Sequence, residues 1–205
     1  MIREDPELVY MMTQNAYWEK PTNIIPYASV SLPLSEYKAG TYFTYNGKAC
    51  GCHSHCTFVV PDGEDTSRCY NTETETSGNC KRYNGGIQCK AFADYVFKKY
   101  SGVDATYYNS MDDDLIPSEF GNNSLGQTEL SDFMRTLPVG ANVRMINRNS
   151  TYGRNHSFII TGVSRTGVTI YDCNRVSYTC KVGLETRTWK QMVNDYKCVE
   201  YVWVP

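Results

Sequence analysis

The chain lacks both a strong net charge and a long apolar run. Its 20 Lys and Arg residues nearly balance its 22 Asp and Glu residues, which leaves a net charge of −2 over 205 residues. Nucleic acids and anionic membranes attract proteins with a strong positive field, so this balance argues against both as partners. No stretch approaches the roughly 18 consecutive apolar residues that a membrane-spanning helix requires, and we expect no membrane span.

The N-terminal residues also lack the apolar stretch of a signal peptide. Charged side chains occur early, at Arg3, Glu4, Asp5 and Glu7. If the protein is exported, we therefore expect its signal to have been removed.

Histidine is scarce, with three residues in the whole chain. His53 and His55 lie in a cysteine-rich segment, which leaves His156 as the natural candidate for a general base. It begins a run of β-forming residues, and a side chain at the end of a strand can face a cleft.

Cysteine, by contrast, is abundant. Nine cysteines are more than a reducing cytosol normally tolerates, so we expect disulfides and an oxidising compartment. Five of them lie between Cys50 and Cys80, three lie between Cys173 and Cys198, and Cys89 stands between the two groups. We predict that eight are paired and that Cys89 is kept free for chemistry. The odd number by itself is equally compatible with an unpaired structural thiol.

Composition divides the chain into three parts. Residues 1–45 have scattered aromatics, several prolines and little periodicity, which is typical of an extended N-terminal segment. Residues 46–83 are rich in small polar residues and cysteine, with too few large apolar groups for a core of their own. They predict a disulfide-stapled subdomain. Residues 84–205 carry the periodic patterns of a core domain.

A helix is predicted over residues 88–100, with Cys89 in its first turn on the face toward the core. Its apolar side chains recur at helical spacing: Phe92, Tyr95, Val96 and Tyr100. The N-terminus of a helix favours a thiolate and the oxyanion of a tetrahedral intermediate, because its backbone N–H groups are unpaired. The neighbouring Gln88 is predicted to help line an oxyanion hole.

The remaining pattern predicts an α+β fold. A second helix is expected to be capped by Thr128 and stopped by Pro138, and a short last helix to be capped by Thr188. Strands are predicted over residues 143–146, 156–163, 168–173 and 199–204, with a hairpin turn at Ser164–Gly167. One early helix followed by an antiparallel sheet is an α+β arrangement.

Two polar residues, Asp172 and Asn174, lie at the end of the strand predicted after the Ser164–Gly167 turn. His156 and Asp172 are near neighbours across the predicted ladder, and strand alternation sends Asp172 and Asn174 to the same face. Either residue could hold the His156 imidazole in the required tautomer, as the third member of a catalytic triad does. The sequence leaves the choice between Asp172 and Asn174 open.

The order of these pieces resembles the CHAP amidohydrolases and peptidases, which belong to the papain-like cysteine hydrolases. The resemblance covers about residues 84–176. It rests on Gln88-Cys89 at a helix start, Leu137-Pro138-Val139-Gly140 before a strand, and a hairpin that runs from His156 to Asp172 and Asn174. The sequence departs from the family pattern in two ways. It has Asp172 at the position where the family usually has Glu, and its cysteine-rich segment is not part of the minimal family pattern.

The resemblance implies a papain-like core, here preceded by a disulfide-rich insertion, with Cys89 as the nucleophile, His156 as the base, and Asp172 and Asn174 orienting the base. The activity implied is hydrolysis of amide bonds through a thioester acyl-enzyme, usually in bacterial peptidoglycan. We expect a secreted or cell-wall-associated monomer without a cofactor. Two other functions remain open: a non-catalytic cell-surface binding module on the same fold, and a secreted cysteine protease that acts on proteins.

Two segments contain side chains that could hold a metal ion. Residues 50–56 include three Cys and two His, but their spacing does not match the common zinc patterns, and an oxidising compartment favours disulfides. Residues 112–114 are three consecutive Asp without the alternating spacing of a calcium loop. We expect a metal site in neither segment.

Overall fold

The computed structural model describes residues 36–44, 47–49, 81–84, 86–106, 110–111, 116, 125–146, 155–175 and 179–205. Within these ranges the chain forms three helices and seven strands. The helices are α1 (Gln88–Ser101), α2 (Gln127–Thr136) and α3 (Trp189–Asp195). The strands are β1 (Arg82–Tyr83), β2 (Gly86–Ile87), β3 (Asn142–Ile146), β4 (His156–Val163), β5 (Gly167–Cys173), β6 (Val182–Thr188) and β7 (Cys198–Trp203).

The architecture is α+β and is built on one antiparallel sheet of five strands in the order β6-β5-β4-β3-β7. Because successive side chains of a strand point to opposite faces, this sheet separates two apolar cores. Ile159 and Tyr171 pack with α1 on one face, whereas Phe158 and Ile160 pack with α2 and α3 on the other. The N-terminus of α1 reaches the end of the sheet where β4 begins and β5 ends.

The helices predicted from apolar periodicity and the short helix capped by Thr188 are confirmed. Thr188 forms a complete capping box with Gln191. The predicted role of Thr128 is wrong: the N-cap of α2 is Gly126, two residues before Thr128, and no side chain caps the helix. The four predicted strands are present within one residue at each end, and Ser164 closes the turn to Gly167 as expected.

Strand β6 is not predicted from the sequence. It contains Gly183 in its interior, and its burial alternates so that Leu184 is 44% exposed. The strand has no aromatic residue, and the residue types at positions 183 and 185, Gly and Glu, are depleted in strands.

The described part of the N-terminal segment packs on the core domain. Backbone hydrogen bonds join it to β6, with Gly40 N donating to Val182 O and Val182 N donating to Thr41 O, both at 2.8 Å. Phe43 is 1% exposed and packs edge to face on Phe92 of α1. Residues 36–44 therefore pack against α1 and contribute Phe43 to the apolar core on that face of the sheet.

Several predicted features lie outside the described residues. These are five cysteines (Cys50, Cys52, Cys56, Cys69 and Cys80), His53 and His55, and the aspartates 112–114. No disulfide joins any two of the four cysteines within the described ranges. The described helices include none that is long and apolar enough to cross a membrane.

Candidate active site

Cys89 lies in the first turn of α1, where the chain passes directly from β2 into the helix. The preceding residue, Gln88, makes this sharp change of direction with φ = +55°. A left-handed conformation costs a non-glycine residue about 1–2 kcal/mol, and such strain concentrates at functional sites. Cys89 is half-buried, and its Sγ lies 4.0 Å from the backbone oxygen of Asn155, the residue before β4.

His156 is the first residue of β4 and faces Asp172 of the neighbouring strand. Its Nε2 lies 2.7 Å from Oδ2 of Asp172, and the two side chains are 6% and 1% exposed. The register explains the contact, because Asp172 pairs with Phe158, which lies two residues from His156 on the same face of β4. Since Asp172 occupies Nε2, the Nδ1 atom is the ring nitrogen left for the Cys89 sulfur.

The electrostatic interactions of these side chains favour a thiolate beside an imidazolium. Burial raises the pKa of Cys89, but its hydrogen bond to His156 and the charges of His156 and Arg144 outweigh burial, so the net shift is downward. Burial lowers the pKa of His156, but Tyr196, Asp172 and Cys89 together raise it well above its ordinary value. Such a pair titrates as a unit, and the charged form exists between its two macroscopic pKa values.

Tyr196, the residue after α3, stacks its ring on the imidazole of His156. The two rings are parallel within 3°, with their centroids 5.9 Å apart. The guanidinium of Arg187, which is bound to Asp195 at 2.5 Å, lies over the ring of Tyr196, 5.9 Å from its centroid. The ring of His156 is thus fixed by a hydrogen bond at one edge and a stacked ring on one face.

Gly183 of β6 provides the space for the Asp172 carboxyl group. The two residues pair across β5 and β6, and a Cβ built on Gly183 would lie 2.6 Å from Asp172 Oδ1. Oδ1 is buried and has no hydrogen-bond partner in the described part of the protein. A methyl group at this position would therefore push the carboxyl group away from the imidazole.

Replacing Gly183 by Ala is expected to lower the pKa of His156 toward its ordinary value, because the shifted Asp172 would no longer stabilise the imidazolium. The measurement is a pH titration of the His156 ring protons by NMR, with the signal assigned from His156→Ala. The matched control is Gly162→Ala in β4, whose added methyl group would meet only Thr169 at an ordinary 3.9 Å. Equal pKa values in the two variants would contradict this account.

Asn174 lies one residue beyond β5. Within the described ranges, its side chain forms hydrogen bonds with Gln88, Thr179 and Cys180 and none with the His156 imidazole. Its Nδ2 donates to Gln88 Oε1 at 2.9 Å, while its Oδ1 accepts from the backbone N–H groups of Thr179 and Cys180 at 2.9 and 3.0 Å. The expected strand alternation fails at this residue because its φ is +67°, so the strand conformation ends before Asn174. Asp172 thus contacts His156, and Asn174 contacts Gln88.

The side chain of Gln88, the residue before Cys89, is left with an unpaired amide NH₂ group. Gln88 Nε2 is buried and has no hydrogen-bond partner in the described part of the chain. Buried amide donors are nearly always paired, so an unpaired one in the residue that precedes the candidate nucleophile is a candidate for contact with a ligand. A carbonyl oxygen near Cys89 could accept from this group and from the free N–H groups of the first turn of α1.

The sequence singled out Gln88, Cys89, His156, Asp172 and Asn174, and the structure brings all five to the same end of the sheet. Asp172 meets His156, Asn174 meets Gln88, and Cys89 links the pairs at the start of α1. Sequence reasoning did not find Tyr196 or Gly183. Tyr196 is one of 17 tyrosines, and in the sequence it is only the last apolar side chain at the end of a short amphipathic helix. Nothing in the sequence pairs Gly183 with Asp172 while β6 is unrecognised.

Comparison of the chain with protein-family models, with curated proteins and with solved structures gives no significant match.

Proposed function

We propose that this protein is a cysteine amidohydrolase of the CHAP type that cleaves amide bonds in bacterial peptidoglycan. The observation that carries the proposal is the Asp172–His156 pair next to the half-buried Cys89 thiol at a helix N-terminus, where His156 lowers the pKa of the thiol. Each part has a chemical use in acyl transfer: the acid orients the base, the base ionises the thiol, and the helix end stabilises negative charge.

In the proposed reaction the Cys89 thiolate attacks the carbonyl carbon of the amide and forms a C–S bond. The carbonyl oxygen becomes an oxyanion that accepts hydrogen bonds from Gln88 Nε2 and from backbone N–H groups at the start of α1. The His156 imidazolium donates its proton to the leaving nitrogen as the C–N bond breaks, which leaves a thioester. Neutral His156 then takes a proton from water, hydroxide attacks the thioester, and the thiolate and a carboxylic acid are released.

The order of elements supports a papain-like core within the α+β architecture. A helix that carries the cysteine precedes the strand that carries the histidine, and the next strand carries the acid. The abundance of cysteine supports a secreted or cell-wall-associated protein, with residues 46–83 as a disulfide-rich insertion. We propose that it acts as a monomer.

Peptidoglycan is proposed as the substrate because of the family resemblance of residues 84–176, and the site geometry would serve any amide. A secreted protease that acts on proteins would use the same residues. A non-catalytic binding module would not need a thiol whose pKa is lowered by a neighbouring histidine.

The test is the release of soluble fragments from purified peptidoglycan by the wild type and by Cys89→Ala, with mass spectrometry of the products. We expect release by the wild type and none by the variant, because Ala provides no nucleophile. The mass of the products identifies the bond that is cut. Cleavage of casein without peptidoglycan release would favour the protease, and inactivity of the wild type on both would contradict the proposal.

A further inference from the structure

Asn174 connects two parts of the site that are distant in sequence. Its Oδ1 accepts two backbone N–H groups of the connection between β5 and β6, from Thr179 and Cys180, and its Nδ2 donates to the side chain of Gln88. Asn tolerates the left-handed conformation found at this position, which turns its side chain out of the strand. The end of β5 is thereby linked to the start of α1.

These bonds determine which way both amide groups face. Two backbone N–H groups can be accepted only by an oxygen, so the Asn174 side chain must place its NH₂ group toward Gln88. An NH₂ group donates, so Gln88 must present Oε1 to Asn174. The remaining Gln88 atom, Nε2, is then the buried donor without a partner in the described part of the chain.

We propose that Asn174 is a positioning residue of the oxyanion site: by fixing the Gln88 amide, it directs the NH₂ group of Gln88 toward the carbonyl oxygen of the substrate. This inference rests on the proposed function, because it assigns Gln88 to the acyl-transfer site of Cys89. The proposal gives different roles to Asp172 and Asn174, the two polar residues at the end of β5. Asp172 acts on the base, and Asn174 acts on the oxyanion donor.

An isosteric change tests this assignment more sharply than truncation. In Asn174→Asp, one carboxylate oxygen can still accept from Thr179 and Cys180, so the connection between β5 and β6 keeps its bonds. The other oxygen can only accept, so Gln88 must turn its NH₂ group toward it and present Oε1 to the substrate carbonyl. Two oxygens would then face each other where the oxyanion forms, which raises the barrier to acylation.

The experiment compares two reactions of Cys89 in the full chain, one with an oxyanion and one without. p-Nitrophenyl acetate acetylates the thiolate: a C–S bond forms, the ester C–O bond breaks, and p-nitrophenolate leaves after a tetrahedral oxyanion. Iodoacetamide alkylates the same thiolate by displacement of iodide, with no oxyanion. Peptide mapping by mass spectrometry restricts both rates to Cys89, and Cys89→Ala gives the background.

The readout is the ratio of the acetylation rate to the alkylation rate. Removal of one oxyanion donor in Gln88→Ala is expected to lower the ratio by roughly 10²-fold. Asn174→Asp is expected to lower it by a similar factor, and Asn174→Ala by roughly tenfold, the order expected when a hydrogen bond that fixes a donor is lost. The double variant of Asn174→Ala with Gln88→Ala should match Gln88→Ala within about twofold, because the two changes remove one function.

Each failure has a different signature. If Asn174→Asp keeps the wild-type ratio, or if the double variant shows the product of the two single effects, Asn174 does not act through Gln88. If the ratio of acetylation to alkylation at Cys89 in the wild type is no higher than that of a small free thiol, the site stabilises no oxyanion. The proposed function then falls together with this inference.

Discussion

Replacing His156 by Ala is expected to lower the rate of peptidoglycan hydrolysis by about 10⁴-fold, the upper end of what positioned proton transfer contributes. Two losses combine. Without the imidazole, the burial that raises the pKa of Cys89 is opposed only by the smaller effects of the Arg144 charge and a backbone hydrogen bond from Ser157, so we expect the thiolate to be lost at neutral pH. No group then remains to protonate the leaving nitrogen. The measurement is the initial rate of fragment release at pH 7.

Free imidazole provides the control for the His156→Ala variant. A small base from solution can enter the vacated space and restore part of the rate when only the base is missing, whereas it cannot repair a misfolded protein. We therefore expect partial rescue that rises with imidazole concentration. A loss of less than tenfold would show that His156 is not the general base.

Replacing Asp172 by Asn is expected to lower hydrolysis by roughly 10²–10⁴-fold, as the loss of a carboxylate that orients a catalytic histidine does. The change also narrows the pH range of activity. The hydrogen bond that His156 donates to Asp172 raises the pKa of His156, so its loss moves the high-pH limit of activity downward. A less stable imidazolium lowers the pKa of Cys89 less, so the low-pH limit moves upward. The measurement is the rate of fragment release as a function of pH.

Glu185→Gln is the matched control for Asp172→Asn. It removes an acid from the neighbouring strand β6, but its carboxyl group contacts Arg175 at 2.5 Å and Arg187 at 3.7 Å rather than the imidazole. We expect this variant to keep a pH profile close to that of the wild type. Equal narrowing in both variants would mean that Asp172 acts only as a distant negative charge.

Local patterns in the sequence were sufficient to predict α1 and the position of Cys89 in its first turn. Apolar spacing over residues 88–100 depends only on neighbouring residues, and the Thr188 capping box is equally local. The proximity of His156 and Asp172 was also predictable, because a short hairpin turn fixes the register of two antiparallel strands.

The features that the sequence did not predict depend on contacts between distant segments. Alternation places Asn174 beside Asp172, but the conformation of Asn174 is set by Thr179, Cys180 and Gln88, which bond to its side chain. The space that Gly183 leaves for Asp172 exists only once β6 pairs with β5. Tertiary contacts of this kind override strand periodicity and leave no mark on a local pattern.

The central claim is that His156 holds the Cys89 thiol in its ionised form, and the rate of iodoacetamide alkylation of Cys89 as a function of pH tests it most directly. Peptide mapping assigns the reaction to Cys89 among the nine cysteines. The account predicts that the wild-type rate rises with an apparent pKa below the ordinary thiol value of about 8.5, and that His156→Ala shifts this pKa upward. The same profile in both proteins, with a pKa at or above the ordinary value, would contradict it.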